Sequence, residues 1–501
     1  MKKKSAIRIL AMVAVMVVVT TAWSAEHPSK ISADLRAKMW IAGSHRVIVT
    51  YDSSFSDRDL ERVAARGGQI HGKLDGVRGF AASLTTAQIA ELAADSRVLS
   101  ISPDRKVLGT MDVAVAAIGA DRIAQNIGYS GQGVTVALVD SGIANHAAVA
   151  PGRIAATIDF TGEGKNGDSF GHGTHIAGII GGSGERGAVR GIAPAVRFVS
   201  LKVLDASGAG YASNVIRGLD WAIANRKALN IRILNLSLGH PPAESWRTDP
   251  LCRAVERAWA AGILVIVSAG NRGRDGDMTI NTPGNDPYVL TIGAMNDFNT
   301  AVRADDGITT YSSRGPSYGD HVLKPDMVAP GNRIISTLAP GATLARLFPD
   351  RRVGKDRIEL SGSSMATGMV SGSAAILLER NPHLTNDQLK AILMLSADKL
   401  PHADAFAVGA GYLQLVRAVA MTSNFHPVRF DSASAVVRPN PAGGYELGHV
   451  EPMPVRAATA LWGDTALWGD TALWGDTALW GDTALWGDTA LWGDTILGNG
   501  D

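Results

Sequence analysis

From about Val113 onward, short apolar runs alternate with segments of helical periodicity. The apolar runs predict strands over these ranges: 134–139, 197–204, 231–238, 263–268 and 288–293. Helices are predicted at about 173–181, 212–228, 249–261, 365–380 and 386–398. Strands without apolar–polar alternation are covered on both faces, and strands separated by helices form parallel sheets with right-handed crossovers. We therefore predict the α/β class, with a doubly wound, mostly parallel sheet.

Three polar residues stand at the boundaries of these predicted elements. Asp140 follows the run 134–139, at the strand end where open α/β sheets place their sites. His172 opens a run of small and apolar residues, and Ser364 precedes the helix at 365–380. The N–H groups and dipole of a helix N-terminus favour a developing negative charge, which suits a nucleophilic serine.

Each of these features also has a structural interpretation. Serine and glycine at a helix start let two helices pack closely, and a lone Asp or His beside glycine usually has a structural role. A nucleophilic serine, however, needs a base within hydrogen-bond reach, and an imidazole with a pKa near neutrality can be that base. Asp, His and Ser in three glycine-rich turns together favour nucleophilic catalysis.

The stretches around these residues resemble those of the subtilisin-like serine proteases, the subtilases. Six stretches match in order: Asp140–Ile143, His172–Gly178, Ser268–Asn271, Tyr311–Pro316, Lys324–Gly331 and Gly362–Thr367. The chain departs from the family at Gly368-Met369, where most members carry Pro-His. Glycine in a helix costs about 1 kcal/mol relative to alanine, so this departure bears on packing rather than on the three polar residues.

The resemblance implies a role for each residue of the site. Ser364 is the expected nucleophile, His172 the base, and Asp140 the carboxylate that holds the second ring nitrogen of the base. Asn271 and the backbone N–H of Ser364 are the expected oxyanion hole, and His175 is the second, structural histidine. Two flanking stretches are expected to bind substrate as an added strand. Their residues are Gly208 and Gly210 on one side and, around the main side-chain pocket, Ser237, Leu238, Gly239, Ser268, Ala269 and Gly270.

The resemblance implies no cofactor for catalysis but leaves a structural calcium ion open. The loop Ser183–Val189 matches in length the loop that many subtilases use for calcium, and Glu185 is its candidate ligand. The aspartate that the family usually contributes after Asp140 is Ala148 here. An oxygen site with few carboxylates binds calcium weakly.

Two segments are predicted before the catalytic domain. Residues 1–24 have the basic start, apolar segment and small residues of a signal peptide. Their apolar segment is shorter than the ~20 residues of a membrane span, so we expect a secreted or cell-envelope protein. Residues 25–110 predict the βαββαβ order of a ferredoxin-like α+β unit. By position and pattern this unit resembles the inhibitory propeptide of subtilases; a permanent accessory domain is the alternative.

The rest of the chain divides by composition. We assign 111–423 to the catalytic domain, 424–459 to a proline-bearing linker, and 460–501 to a tail in which Ala-Leu-Trp-Gly-Asp-Thr occurs six times. The period is even, so in an extended tail every tryptophan falls on one face. Short strands with Gly-Asp turns, or a low-complexity segment that folds only against a partner, also fit the repeat. A contact with the cell surface is one function that such a repeat allows.

Composition and chain order limit the other classes of function. A net charge of +1 with 19% charged residues favours neither nucleic acid nor a membrane surface as partner. Cys252 is the single cysteine, so no intramolecular disulfide forms, and its apolar helical setting predicts an inert thiol. A lipase-type esterase is excluded by the order of the three site residues and by the missing Gly-x-Ser-x-Gly.

We therefore predict a secreted serine endopeptidase that is made as a self-processed zymogen. Its partners would be protein or peptide substrates and its own propeptide as inhibitor, with no nucleic acid. The alternative is a secreted surface-binding protein that acts through the tail and carries a vestigial protease domain. The complete set of Asp140, His172, Ser364 and Asn271 argues against that alternative.

Overall fold

The chain divides into two units, Met1–Val107 and Leu108–Asp501, and each has its own sheet and hydrophobic core. The protein is described here by a computed structural model over these residues: 30–31, 35–36, 39–41, 43–51, 55–74, 79–103, 118–126, 128–400, 403–423, 430–439, 445–448 and 459–460. The predicted signal peptide and the repeats after residue 460 lie outside the described residues. None of the helices within these ranges combines the length and the hydropathy of a membrane-spanning segment.

The first unit is an antiparallel sheet with two helices. Its elements are β1 (Ser44–Tyr51), α1 (Asp57–Ala65), β2 (Gln69–Leu74), β3 (Gly79–Thr85), α2 (Thr86–Ala94) and β4 (Val98–Pro103). The sheet order is β2-β3-β1-β4. Thr85 caps α2: its hydroxyl accepts from Gln88 N, and the Gln88 side chain accepts from Thr85 N at 2.7 Å. The two bonds form a capping box, and the elements follow the order βαββαβ.

The second unit is built on a mostly parallel sheet of eight strands. The strands are β5 (Thr135–Asp140), β6 (Ile154–Asp159), β7 (Arg197–Lys202), β8 (Ile231–Leu236), β9 (Leu264–Ser268), β10 (Leu290–Asn296), β11 (Gly307–Ile308) and β12 (Met327–Pro330). Their order is β11-β10-β9-β8-β5-β7-β6, with β12 paired to β10. The pairs are parallel apart from β10–β11, which confirms the predicted α/β sheet. The sequence missed β6, an edge strand whose half-buried residues carry no long apolar run.

Helices and a smaller antiparallel sheet complete the second unit. The helices are α3 (Ala120–Asn126), α4 (His172–Gly181), α5 (Ala212–Asn225), α6 (Pro250–Ala260), α7 (Thr343–Leu347), α8 (Ser363–Arg380), α9 (Asn386–Leu395), α10 (Ala405–Val408) and α11 (Leu415–Met421). The smaller sheet contains β13 (Ile334–Thr337), β14 (Arg352–Val353) and β15 (Arg357–Leu360). Every strand and helix predicted after Val113 is present, with boundaries displaced by a few residues.

Helix α8 is buried from Ser363 to Leu378, so other segments of the same chain pack around it on all sides. Glycines make room for these neighbours. A Cβ atom at Gly372 would lie only 2.6 Å from the Ile192 Cβ, and one at Gly368 would lie 3.1 Å from Cγ2 of Ile179 in α4. The position where this chain departs from the family pattern is therefore a close contact between α8 and α4.

The stretch 424–459, which the sequence suggests as a linker, contains four short strands. They are β16 (Phe430–Asp431), β17 (Val436–Pro439), β18 (Tyr445–Gly448) and β19 (Thr459–Ala460). Ala433, Ala435 and Val437 are buried in the core of the second unit, and Leu323 N donates to the Ala435 carbonyl at 2.8 Å. Residues 432–437, which we call the C-terminal clasp, are thus packed in the second unit. Proline content alone did not reveal this, because the burial depends on contacts with distant residues.

Candidate active site

Two elements of the second unit bring Asp140 and His172 into contact. Asp140 is the last residue of β5 and is fully buried. His172 is the first residue of α4, and its Nδ1 lies 2.8 Å from Asp140 Oδ1 and 3.0 Å from Oδ2. We assign Nδ1–H as the donor to the carboxylate, which leaves Nε2 as the acceptor nitrogen of the ring.

Asp168 holds the start of α4. Its Oδ1 accepts from Gly171 N at 2.6 Å, and its Oδ2 accepts from the N–H and the hydroxyl of Thr174, both at 2.7 Å. These bonds satisfy backbone donors that the first turn of a helix leaves unpaired. Sequence reasoning missed Asp168. The signal that could have found it is an acidic residue shortly before a helix start, although the N-cap position itself is taken by Gly171.

Gly173 allows α4 to lie against the turn that follows β5. A Cβ atom at Gly173 would lie 2.2 Å from the carbonyl oxygen of Gly142 and 3.2 Å from the Asp140 Cβ. Any larger residue would force the two segments apart. The glycine beside His172 therefore keeps the imidazole within hydrogen-bond distance of Asp140.

Ser364 lies in the first turn of α8 and is 8% exposed. Its Oγ donates to the Ser237 carbonyl at 3.2 Å, and the Ser237 hydroxyl donates to the Ser364 carbonyl at 3.1 Å. Ser237 in turn lines the same groove as His172. Asp140, His172 and Ser364 are far apart in the sequence. The fold brings them to the end of the sheet at which β5 and β8 terminate.

The start of α8 orients the side chain of Asn271. Asn271 Oδ1 accepts from the Ser363 N–H at 2.9 Å and from the Ser363 hydroxyl at 3.2 Å. A backbone N–H can only donate, so the amide oxygen must face Ser363 and the Nδ2 donors must face elsewhere. Nδ2 lies 3.3 Å from the place that a Cβ at Gly362 would take. Glycine at 362 therefore leaves the amide donors of Asn271 uncovered on that side.

A groove of about 330 Å³ runs beside His172. The predicted substrate-binding residues that line it are Gly208, Gly210, Ser237, Leu238 and Gly239. Phe170 also lines the groove, and a Cβ at Gly208 would lie 2.4 Å from its Cζ atom. Gly208 also has a φ of +81°, so both its backbone and its contact with Phe170 require glycine.

Three predicted substrate-binding residues are not among those that line this groove: Ser268, Ala269 and Gly270. Ala269 N donates to the Ile292 carbonyl and its own carbonyl accepts from Asn281 N, both at 2.9 Å. Gly270 N donates to the Ser363 hydroxyl at 3.1 Å. The backbone groups of Ala269 are therefore bonded within the protein, and Gly270 is joined to the start of α8. The expectation that these three residues form a wall of the side-chain pocket stays a prediction.

The protonation of His172 is set by opposing effects. Burial lowers the pKa of the imidazole, but the charge and hydrogen bond of Asp140 and the charge of Asp168 outweigh it, so the pKa lies above its ordinary value. Burial raises the pKa of Asp168, and hydrogen bonds from Gly171 and Thr174 offset part of that rise. The imidazolium form of His172 is therefore stabilised in the folded protein.

His175 has a different environment from His172. Burial and the charge of His172 lower the pKa of His175 to about 3. Its Nε2 lies 3.2 Å from the carbonyl oxygen of Ile334 and 3.1 Å from that of Ile358, so Nε2–H donates to β13 and β15. A neutral, enclosed imidazole bonded to the backbone ties α4 to the smaller sheet.

The loop Ser183–Val189 does not fit a calcium ion. The Gly187 carbonyl accepts from the Arg357 guanidinium, and the Val189 carbonyl accepts from Gly184 N at 3.0 Å. Two oxygens of the loop are therefore already bonded, one of them to a cation that would repel calcium. In the described ranges, no three His, Cys, Asp or Glu residues are arranged to hold a metal ion.

Comparisons with known proteins agree with this geometry. Residues 131–411 match the Subtilase family. Serine protease AprX of Bacillus subtilis is 37% identical over 354 residues, which cover 68% of this chain and 79% of that protein. Subtilisin E of the same species is 30% identical over 396 residues, 78% of this chain and 92% of the relative. Thermostable alkaline protease of Halalkalibacterium halodurans is 33% identical over 331 residues, 66% of this chain and 80% of its own length. The chain therefore belongs to the subtilase family and is a serine-type endopeptidase.

Proposed function

We propose that the protein is a secreted endopeptidase in which Ser364 is the nucleophile, His172 the base and Asp140 the carboxylate that orients the base. The observation that carries the proposal is the 2.8 Å bond between His172 Nδ1 and Asp140, beside a groove whose wall residue Ser237 is bonded to Ser364. These are the groups that a serine peptidase needs in one place.

In this proposal one proton moves twice. His172 Nε2 takes the proton of Ser364 Oγ while Oγ attacks the carbonyl carbon of the peptide, and Asp140 stabilises the imidazolium. His172 then gives the proton to the leaving amine as the C–N bond breaks. Water hydrolyses the acyl group on Ser364 in the same way: His172 takes a proton from the attacking water and returns it to Ser364 Oγ. Asn271 Nδ2 and the Ser364 N–H, at the N-terminus of α8, stabilise the negative charge on the substrate oxygen.

The groove supports a substrate bound as an extended strand. Gly208, Gly210 and Gly239 leave the backbone of the groove walls uncovered, so a peptide can form main-chain hydrogen bonds beside His172. Main-chain bonds are made with any sequence, which fits an endopeptidase that acts on protein substrates. Tyr211, next to Gly210, is 78% exposed and offers a large apolar contact to a substrate side chain.

We further propose that residues 25–110 are an inhibitory propeptide, which the enzyme removes itself. Two observations support this. The first unit has its own sheet and core and is a compact unit distinct from the one that carries the candidate site. It also precedes that unit in the chain, as an inhibitor removed by one cleavage would.

N-terminal sequencing of the purified protein tests both the nucleophile and the processing. The wild type is expected to lose residues 26–107, whereas Ser364→Ala should retain them. Ser373→Ala is a matched control, because Ser373 lies in the same helix and, among the residues that the structure describes, its hydroxyl bonds only to the Met369 carbonyl, at 2.9 Å. It should be processed like the wild type. A normally trimmed Ser364→Ala from a host without other proteases would contradict self-processing, and peptide hydrolysis by Ser364→Ala would contradict the nucleophile.

We propose that the repeat tail acts separately from catalysis, in attachment to the cell surface. Residues 460–501 contain no histidine, serine or lysine, so they offer no group to the active site, and the six tryptophans form a regular aromatic array. A chain ending at Pro441 should mature and cleave a small peptide at close to the wild-type rate, while its binding to cells falls. Loss of hydrolysis by a folded, processed chain of this length would show that the tail belongs to the enzyme.

A further inference from the structure

A second cavity lies beside the groove that contains His172. It has a volume of about 510 Å³ and is lined by residues from several segments of the second unit. Two of these segments continue into the groove: Ser169 lines the cavity and Phe170 the groove, and Ala206 and Gly208 are divided in the same way. A substrate side chain that leaves the groove past Phe170 can therefore enter this cavity.

The wall of the cavity is fixed to the candidate active site by short contacts. A Cβ atom at Gly142, in the turn after β5, would lie 2.4 Å from the carbonyl oxygen of the lining residue Gly167. On the other side of the cavity, Thr343 N donates to the Ser169 carbonyl at 3.0 Å. Ser169 precedes His172 by three residues, so their Cα atoms are at most about 11 Å apart. The cavity is thus within reach of substrate residues next to the bond that is cleaved.

Two cations line the cavity without a carboxylate partner. Lys165 and Arg346 are both exposed, and among the described residues neither forms an ion pair. Arg346 donates to the Thr343 hydroxyl at 3.0 Å and to the Gly341 carbonyl at 3.4 Å, which are neutral acceptors of its own loop. A guanidinium has five N–H donors, so most of them stay available to a ligand.

The acidic groups around the cavity are bonded within the protein. Asp168 lines the cavity, but its buried carboxylate accepts the three bonds that hold the start of α4. Glu163 accepts from the N–H of the lining residue Ala206 at 3.0 Å and pairs with Lys202 at 3.1 Å. Asp205 accepts from the N–H groups of its own turn. The bonding capacity that remains for a ligand is therefore mainly that of the two cations.

We propose that Lys165 and Arg346 bind the carboxylate of an aspartate or glutamate side chain of the substrate. This inference rests on the proposed function, because it assigns a specificity to the same active site. An ammonium and a guanidinium are charge-assisted donors that suit a carboxylate. Both cations are exposed, so each pair contributes modestly and weakens with salt. The enzyme therefore prefers, but does not require, an acidic residue at one position near the cleaved bond.

A set of matched peptides tests this subsite on the processed wild-type enzyme. Each peptide carries one glutamate, which is moved through the positions on both sides of the cleaved bond, and its control carries glutamine at the same position. At mildly alkaline pH and low salt, glutamate should raise kcat/KM by about 10-fold over glutamine at one position, within the range of two exposed ion pairs. The gain should lie in KM, because the carboxylate is bound equally in the ground and transition states. About 1 M NaCl should remove most of it.

Charge variants separate this subsite from a general effect of net charge. Lys165→Gln combined with Arg346→Gln should equalise glutamate and glutamine, and Lys165→Glu combined with Arg346→Glu should make lysine the preferred residue at the same position. Arg197→Gln combined with Lys227→Gln is the matched control. Arg197 begins β7 and Lys227 precedes β8, so both lie at the end of the sheet opposite to the active site, and this variant should keep the wild-type preference.

The outcomes distinguish the subsite from the proposed function. An enzyme that cleaves the peptides but treats glutamate and glutamine alike at every position would overturn the subsite and leave the proposed function standing. A preference that survives in the Lys165→Gln, Arg346→Gln variant, or that is lost equally in the control, would also overturn the subsite. Cleavage of no peptide by the processed protein would contradict the proposed function and the subsite together.

Discussion

Two groups of buried charges in the second unit differ in the hydrogen-bonding capacity that they leave for a ligand. The interior cluster consists of Lys324, Asp326 and Lys390, with Lys324 Nζ 2.7 Å and Lys390 Nζ 3.5 Å from the Asp326 carboxylate. All three side chains are 0% exposed. The active pair is Asp140 and His172. Its carboxylate is equally buried, but 16% of the His172 side chain is exposed, and the ring lines the groove.

The difference lies in the hydrogen-bonding capacity that remains. The Lys390 ammonium has four acceptors at 3.0–3.2 Å: Pro287 O, Tyr288 O, Val289 O and Ser434 Oγ. An ammonium has three donors, so none is left for a ligand. His172 donates one N–H to Asp140 and keeps its other nitrogen for the groove. Burial of charge alone therefore does not identify a reactive site, whereas unused bonding capacity beside a groove does.

The largest expected effect is at the active pair and Ser364. Ser364→Ala should lower kcat/KM for a small peptide by up to about 10⁶-fold, the size known for a subtilisin triad. Adding His172→Ala should lower it little further, because the residues act as a unit. The two variants are compared in the same unprocessed form, so the comparison does not depend on maturation. A double variant far less active than Ser364→Ala would contradict the expectation that the two residues act together.

The matched substitution in the interior cluster is Lys390→Met. It should reduce stability but leave kcat/KM of the folded, processed fraction at the wild-type value, because the acceptors of its ammonium at Pro287, Tyr288, Val289 and Ser434 do not line the groove. Active-site titration gives the folded fraction. A large loss of kcat/KM per folded molecule would break the distinction between the two groups of charges.

The next largest effect is expected on the pH dependence of kcat/KM. Activity requires neutral His172, so kcat/KM should fall as the pH drops through the raised pKa, with a midpoint above the ordinary value of about 6.5. Asp140→Asn removes the charge that raises this pKa. It should move the midpoint to lower pH and reduce the rate about 10⁴-fold, as the equivalent change does in other Ser-His-Asp enzymes. Asp168→Asn is the control and should move the midpoint less, in the same direction.

A smaller effect is expected from removal of the C-terminal clasp. Ser434 Oγ bonds with the Asp326 carboxylate and is 3.0 Å from the Pro287 carbonyl, so it closes the interior cluster. A chain ending at Ser423 should have a free energy of unfolding about 3–5 kcal/mol below that of a chain ending at Pro441, because buried charges lose a partner. Denaturant titration of both chains gives the difference. Equal stabilities would show that the cluster does not need the clasp.

The smallest effect is expected at Gly368. Alanine there should gain about 1 kcal/mol of helix stability, but its Cβ would lie 3.1 Å from Cγ2 of Ile179, tighter than an ordinary contact. The two terms oppose each other, so the free energy of unfolding should change by less than about 1 kcal/mol. Ile179→Val in the Gly368→Ala background makes room and should recover the gain. A large loss in the single variant would show that α8 cannot move relative to α4.

Whether a feature could be predicted from the sequence depends on how far apart in the chain its contacting residues lie. The strands, the helices and the turns around Asp140, His172 and Ser364 have local signals, because apolar runs, glycines and helix starts are read within a few residues. Asp168 also bonds locally, but a single acid before a helix is too common to stand out. The partners of Lys390 in the C-terminal clasp could not be found, because no local pattern links Ser434 to a lysine 44 residues earlier.

The C-terminal clasp also sets the order of events in synthesis. Asp326 and Lys390 lack the Ser434 hydroxyl until residue 434 has left the ribosome, well after Ser364 and every other candidate active-site residue. At about 5–20 residues per second, a nascent chain therefore holds its complete set of reactive groups for several seconds before its interior can close. A peptidase whose last packing segment follows its last reactive residue cannot reach its final stability until that segment has emerged.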